Sequence, residues 1–75
     1  MTVKSGARKF TKDVPMTKGF EMWGKVSGRA VPYHREWWIT KDSKVVGYLD
    51  QGRYEDSAAA ARQRRNWASE LGALA

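Results

Sequence analysis

The sequence predicts an α+β fold: a three-stranded antiparallel β-meander packed on one C-terminal α-helix, with a basic flexible N-terminal arm. Three observations predict it. Short segments with alternating aromatic and β-branched residues follow one another from Phe20 to Leu49, separated by turn-forming residues. An Ala-rich run without helix breakers then extends from Ser57 to Leu71 and meets Gly72. Residues 1–18 carry neither period, so they divide as an arm from a single βββα domain over residues 19–75.

Taken in order, the arm mixes Lys4, Arg8, Lys9, Lys12 and Lys18 with Ser, Thr, Gly and Pro15. Such a composition favours solvation over burial. Phe10 is the exception, a large apolar residue that suggests partial docking on the domain. The first predicted strand, Phe20 to Val26, places Phe20, Met22 and Val26 on one face and Glu21, Trp23 and Lys25 on the other. Ser27 and Gly28 break it. A second strand, Tyr33 to Lys41, alternates Tyr33, Arg35, Trp37 and Ile39 with His34, Glu36, Trp38 and Thr40. Asp42 and Ser43 propose a tight hairpin turn into a third strand, Lys44 to Leu49, and Asp50, Gln51 and Gly52 supply turn chemistry after it.

The helix is the clearest element. Asp56 is placed to cap it, and Glu55 and Asp56 set negative charge at the positive end of the helix dipole. Ala60, Trp67 and Leu71, with Ala61 and Ala68 beside them, form the inward stripe, while Arg62, Arg65 and Ser69 face away. The expected core is therefore Phe20, Met22, Ile39, Leu49, Ala60, Trp67 and Leu71, with Trp67 as its anchor.

A chain of 75 residues makes one small domain that must draw stability from few large side chains, here four Trp, three Tyr and two Phe. Without cysteine it has neither disulfide nor thiolate metal site and suits a reducing compartment. Cytoplasmic location is expected, with nucleoid association if the partner is DNA. No apolar stretch is long enough to span a membrane, and the helix shows no coiled-coil seam, so a monomer is expected.

Charge is the most informative property. Residues 1–35 hold eight Lys and Arg against two Asp and Glu, whereas residues 36–75 hold six of each. A polycationic half attracts polyanions through counterion release, which makes duplex DNA the first expected partner. One helix can cover only one sheet face, so the other is wet, covered by the arm, or used to bind. With Phe20, Met22, Ile39, Val45 and Leu49 turned toward Trp67, the outward set is Trp23, Lys25, Trp38, Thr40 and Tyr48. The alternation leaves open which of Trp37 and Trp38 faces away from the helix. Rings and cations on an open face suit stacking and phosphate contact. The expected nucleic-acid contacts are Lys4, Arg8, Lys9, Lys12, Trp23, Lys25, Arg29, Arg35, Trp38 and Arg53.

The run from Trp37 to Lys41, the hairpin, and Gly52-Arg53-Tyr54-Glu55-Asp56 leading into the Ala-rich helix resemble the DNA-binding domains of ethylene-response-factor type proteins. They are also similar to the arm-binding domains of phage tyrosine recombinases. The resemblance spans about residues 20–71 and implies a three-stranded sheet, backed by one helix, that lays its open face in the DNA major groove. By position it implies strand contacts from Trp23, Arg29, Arg35, Trp38 and Arg53. The segment Arg29 to Tyr33, with Pro32, departs from the compact Arg-rich hairpin of those families.

Catalysis finds no support: His34 is the sole imidazole and no serine sits in a nucleophile motif. Neither metal-ligand spacing nor a Gly-rich phosphate loop is present, so no cofactor is expected. Two readings follow. One is a small DNA-binding protein, such as a phage or mobile-element regulator, using the sheet face and arm. The other is a protein-interaction module that docks on an acidic surface of a host protein such as RNA polymerase and modulates transcription.

Overall fold

The computed structural model describes all 75 residues and is an α+β unit: one antiparallel sheet in the order β1-β2-β3-β4 and one C-terminal helix. The strands are β1 (Arg8–Phe10), β2 (Phe20–Ser27), β3 (His34–Lys41) and β4 (Lys44–Arg53); the helix α1 spans Ser57–Glu70.

Two sequence expectations are corrected together. The sheet has four strands, and the extra one lies in the segment read as an arm. Phe10 explains both. It pairs with Met22 across the β1–β2 ladder and sets its ring 4.9 Å from that of Trp37 in an edge-on contact, a geometry worth about 1 kcal/mol beyond area burial. Downstream, Val14 is buried, Thr17 donates its amide to Ala73 O, and Pro15 O accepts the amide of Ala75. Residues 1–18 are thus stitched to the sheet and to the C-terminus, and Lys18 marks no domain boundary. Their cations do not prevent docking because Arg8, Lys9 and Lys12 all point to solvent while Phe10 and Val14 turn in.

The core gathers Val14, Met22, Trp37, Ile39, Ala68 and Ala73, with Phe20, Leu49 and Trp67 packed against it. Trp37 therefore faces the helix and Trp38 faces away. Space for the Trp37 indole comes from Gly24, where a Cβ would lie 2.4 Å from the ring. Asp42 and Ser43 form a two-residue hairpin turn with φ of 49° and 70°, the all-positive pattern whose twist matches paired strands.

The turn expected at residues 50–52 is instead a bulge inside β4, where Glu36 pairs with Asp50 and Arg35 with Gly52. The same chemistry is used differently: Asp50 Oδ1 accepts the Gly52 amide at 2.8 Å, and Gly52 takes a φ of 62°. The extra residue, Gln51, is thrown toward the helix. There its amide nitrogen donates to Ala60 O at 3.0 Å and to Gln63 Oε1 at 2.9 Å, while its oxygen accepts from Trp37 Nε1 at 2.7 Å.

Asp56 caps α1, accepting the amides of Ala58 and Ala59 at 2.9 and 3.2 Å. Ala60 and Ala68 are fully buried, as the stripe predicts. Leu71 is not: it is 36 % exposed at the C-cap. Gly72, at φ 70°, turns the chain there and sends Ala73 into the core in its place.

Candidate nucleic-acid interface

The sheet face opposite α1 carries Trp23, Lys25, Glu36, Trp38, Thr40 and Tyr48, as the alternation predicts, and also Val45, expected to face Trp67 but paired with Thr40 after a register shift; the face is not open. Trp38 is 2 % exposed, Glu36 6 % and Thr40 5 %. The leading residues cover them. Lys4 Nζ donates to Glu36 Oε2 at 2.7 Å, Lys25 Nζ donates to Ser5 O at 3.1 Å, and Val3 lines a shallow depression with Trp23 and Thr40. Tyr48 stacks obliquely on Trp38, ring centroids 5.4 Å apart, and donates its hydroxyl to the same Glu36 oxygen at 2.7 Å. The Lys4 hydrogen bond first, then that of Tyr48, holds the Glu36 carboxyl below the usual range. The Tyr48 hydroxyl, bonded to that carboxylate and partly desolvated, is pushed up to about 12.

Two expectations about this face are corrected. Trp38 does not offer its ring for stacking, because the N-terminal segment and Tyr48 enclose it. Nor are its cations free: Lys4 is paired with Glu36 and Lys9 with Glu21, Lys25 is bonded to Ser5 O, and Asp50 is hydrogen-bonded to His34. Trp23 is half-buried, donates its indole N–H to Thr40 Oγ1 at 3.2 Å, and has Lys9 Nζ 5.9 Å from its ring. Lys4, Lys9, Trp23, Lys25 and Trp38 are therefore gathered on one side, with the lysines bonded to the protein's own oxygens at the surface and Trp38 buried beneath.

The remaining predicted cations lie elsewhere. Arg29, Arg35 and Arg53 converge at one end of the sheet, around the loop 28–33 between β2 and β3. Arg53 Nε donates to Pro32 O at 3.0 Å, which fixes the base of its guanidinium against the loop. None of the three forms an ion pair. Arg8, on β1 opposite Gly24, lies on the same sheet side as Arg35, with Val26 on the strand between them. Exposed apolar groups share this end: Val26 is 56 % exposed, Val31 74 % and Tyr33 37 %. Lys12 stands apart, exposed in the turn after β1.

Pro32 separates two open clefts. On one side, a space of about 380 Å³ is lined by Val31, Tyr33, Arg35, Tyr54, Glu55 and Ser57. On the other, about 390 Å³ is lined by Ser27, Gly28, Arg29, Ala30, His34 and Arg53. The first joins two tyrosine rings and apolar walls to Arg35, Glu55 and Ser57; the second is polar and cationic. His34 Nε2 lies 2.7 Å from Asp50 Oδ1, and that carboxyl is held below the usual range first by the Gly52 amide and then by His34. Asp50 is thus engaged by the protein's own Gly52 amide and His34 ring at the surface.

Sequence reasoning missed Tyr33 and Tyr54 as site residues. Val31-Pro32-Tyr33 between Arg29 and Arg35 is a readable signal, because apolar residues in a loop between strands have no core to enter. Tyr54 joins them only because β4 is longer than its periodicity suggests. No group of three or more His, Cys, Asp or Glu side chains gathers to hold a metal, and no helix is long and apolar enough to cross a membrane. No protein family, curated protein or solved structure matches the chain.

Proposed function

We propose that the protein binds duplex DNA through the end of the sheet that carries Arg29, Arg35 and Arg53, flanked by Arg8. One observation carries this reading. Three arginines from three separate segments line the two clefts that flank Pro32, Arg35 one and Arg29 and Arg53 the other, and none forms an ion pair. Planar guanidinium groups bond phosphate oxygens and guanine edges in pairs, and a net charge of +6 adds a sequence-independent attraction. The families that the sequence resembles would put DNA on the open sheet face. Here that face is largely covered and its lysines are bonded to Glu36, Glu21 and Ser5 O, so the projecting loop 28–33 and the strand ends beside it are the better fit to a groove.

The test is binding of a labelled blunt duplex by fluorescence anisotropy across a salt series. Log affinity is expected to fall with log salt by about 0.9 per phosphate contacted. Arg29→Ala, Arg35→Ala and Arg53→Ala should each reduce that slope by about one and leave the melting curve intact. Absence of binding at low salt, or a triple variant with an unchanged slope, overturns the reading.

A second reading, docking on an acidic surface of a host protein such as RNA polymerase, is favoured by the exposure of Val26, Val31 and Tyr33 beside the same arginines. Apolar groups ringed by Arg make protein hot spots as readily as groove contacts. Under it, the triple Arg variant binds no duplex less well than the parent, yet loses capture of the polymerase.

A further inference from the structure

The two clefts beside Pro32 differ in chemistry as the two halves of a nucleotide do. A nucleobase is flat, apolar on its faces and polar only at its edges, whereas its phosphate is anionic and strongly hydrated. Tyr33 and Tyr54 supply rings to one cleft, and Val31 and Pro32 supply apolar walls. Arg29 and Arg53 supply guanidinium groups to the other, with the small residues Gly28 and Ala30 leaving room between them. Glu55 lies on the aromatic side. Arg35 lines the same side, so the charge there is mixed, and the Glu55 carboxylate can accept a hydrogen bond from an exocyclic amine. The wall between the clefts is held by the Arg53 Nε bond to Pro32 O at 3.0 Å.

We propose that this divided cleft seats one unpaired nucleotide, its base against Tyr33 and Tyr54 and its phosphate against Arg29 and Arg53. The inference rests on the DNA-binding reading and narrows it: the protein prefers DNA with an unpaired end or a displaced base to uninterrupted duplex. A paired base is stacked inside the helix and cannot enter a cleft, whereas an overhanging one pays little to leave its neighbour. Stacking on aromatic side chains tolerates any base, because each has a π-face. The shared chemistry is a nucleoside monophosphate unit, which can come from a strand end or from a free nucleotide.

The test compares three probes by fluorescence anisotropy: a labelled blunt duplex, the same duplex with a short single-stranded overhang, and adenosine monophosphate as unlabelled competitor. The overhang duplex is expected to bind roughly tenfold tighter than the blunt one. Tyr33→Ala/Tyr54→Ala should erase that advantage, so that overhang and blunt duplexes bind alike, and Tyr33→Phe/Tyr54→Phe should preserve it. Displacement of the overhang by the mononucleotide assigns the cleft to free nucleotide as well; retention of the overhang assigns it to strand ends. Equal affinity for blunt and overhang duplexes, or an advantage that survives the double Ala variant, overturns the inference. Should the blunt duplex not bind while the overhang binds through the tyrosines, the duplex reading falls and this one stands.

Discussion

The guanidinium of Arg64 lies 4.2 Å from the centroid of the Trp37 ring and 5.2 Å from that of Phe10, in a site where the arginine is 4 % exposed. A helix residue thereby clamps the central strand to the edge strand. Its compensation is partial. Nη1 donates to Gln51 Oε1 at 3.2 Å and Nη2 to Asp13 Oδ2 at 3.4 Å, while Nε has no hydrogen-bond partner. Burial lowers the Arg64 pKa, Asp13 opposes that, and the nearby charge of Arg35 adds to it.

Because a cation over Trp in a desolvated site is worth about 2 kcal/mol, and its desolvation costs a comparable amount, shape decides the outcome at position 64. Arg64→Lys should lose about 1–3 kcal/mol, since an ammonium group neither covers two rings nor reaches Gln51 as a planar fork. Arg64→Met should stay within about 1 kcal/mol of the parent, because it fills the space and removes the buried charge. Asp13, half-exposed, is not left stranded by that change. Urea denaturation with constant m-value measures both, and a Lys variant as stable as the parent would contradict the clamp.

Two glycines of the sheet make a contrast. At Gly24 a Cβ would lie 2.4 Å from the Trp37 ring, which is buried and bonded to Gln51. At Gly47 it would lie 2.6 Å from Leu71 Cδ1, the tip of a flexible, partly exposed side chain, and 3.3 Å from the edge of the half-buried Trp67 ring, a milder crowding than at Gly24. Gly24→Ala should therefore cost about 2–3 kcal/mol and shift the near-ultraviolet dichroism of Trp37, whereas Gly47→Ala should cost under about 1 kcal/mol. Equal effects at the two positions would mean that the Trp37 ring has room to move.

Stability against pH tests the cover over Trp38. Glu36 has a folded pKa below its ordinary value of about 4.5, so its contribution is present above that pH and is lost as pH falls through the depressed value. For Tyr48 the sign reverses. Its folded pKa is raised from 10.0 to about 12, so its contribution is present below pH 10 and disappears as pH rises from there toward 12. A tyrosinate absorbance step near pH 12 should vanish in Tyr48→Phe. Lys4→Met should raise the acid midpoint of unfolding and increase acrylamide quenching of tryptophan fluorescence, as Trp38 loses its cover. If neither changes, the Lys4–Glu36 pair does not hold the N-terminal segment in place.

Much of this fold is legible because local chemistry repeats where packing agrees with it. Asp56 as cap, Ala60 and Ala68 as the inward stripe, and Asp42-Ser43 as the hairpin turn are each set by short-range rules. The misreadings share one cause. Phe10 and Val14 sit among cations, so composition describes residues 1–18 as solvated, yet two apolar side chains suffice to dock a strand when an edge of β2 stands open. Asp50-Gln51-Gly52 reads as a turn because its residues favour one, and only the continued pairing of Arg53 with His34 makes it a bulge. At the site, Arg29, Arg35 and Arg53 are readable as cations, but not as neighbours.

By itself the sequence determined the three long strands, the helix with its cap, the burial of Met22 and Ile39, and the surplus of positive charge, because propensity, alternation and composition act over a few residues. The tertiary structure decided which cations are available. Lys4 and Lys9 are drawn into pairs with Glu36 and Glu21, residues distant in the chain, while Arg29, Arg35 and Arg53 line the clefts on either side of Pro32 without an ion pair. A charge attracts a partner only to the extent that no nearer opposite charge answers it, and that distance is a property of the fold.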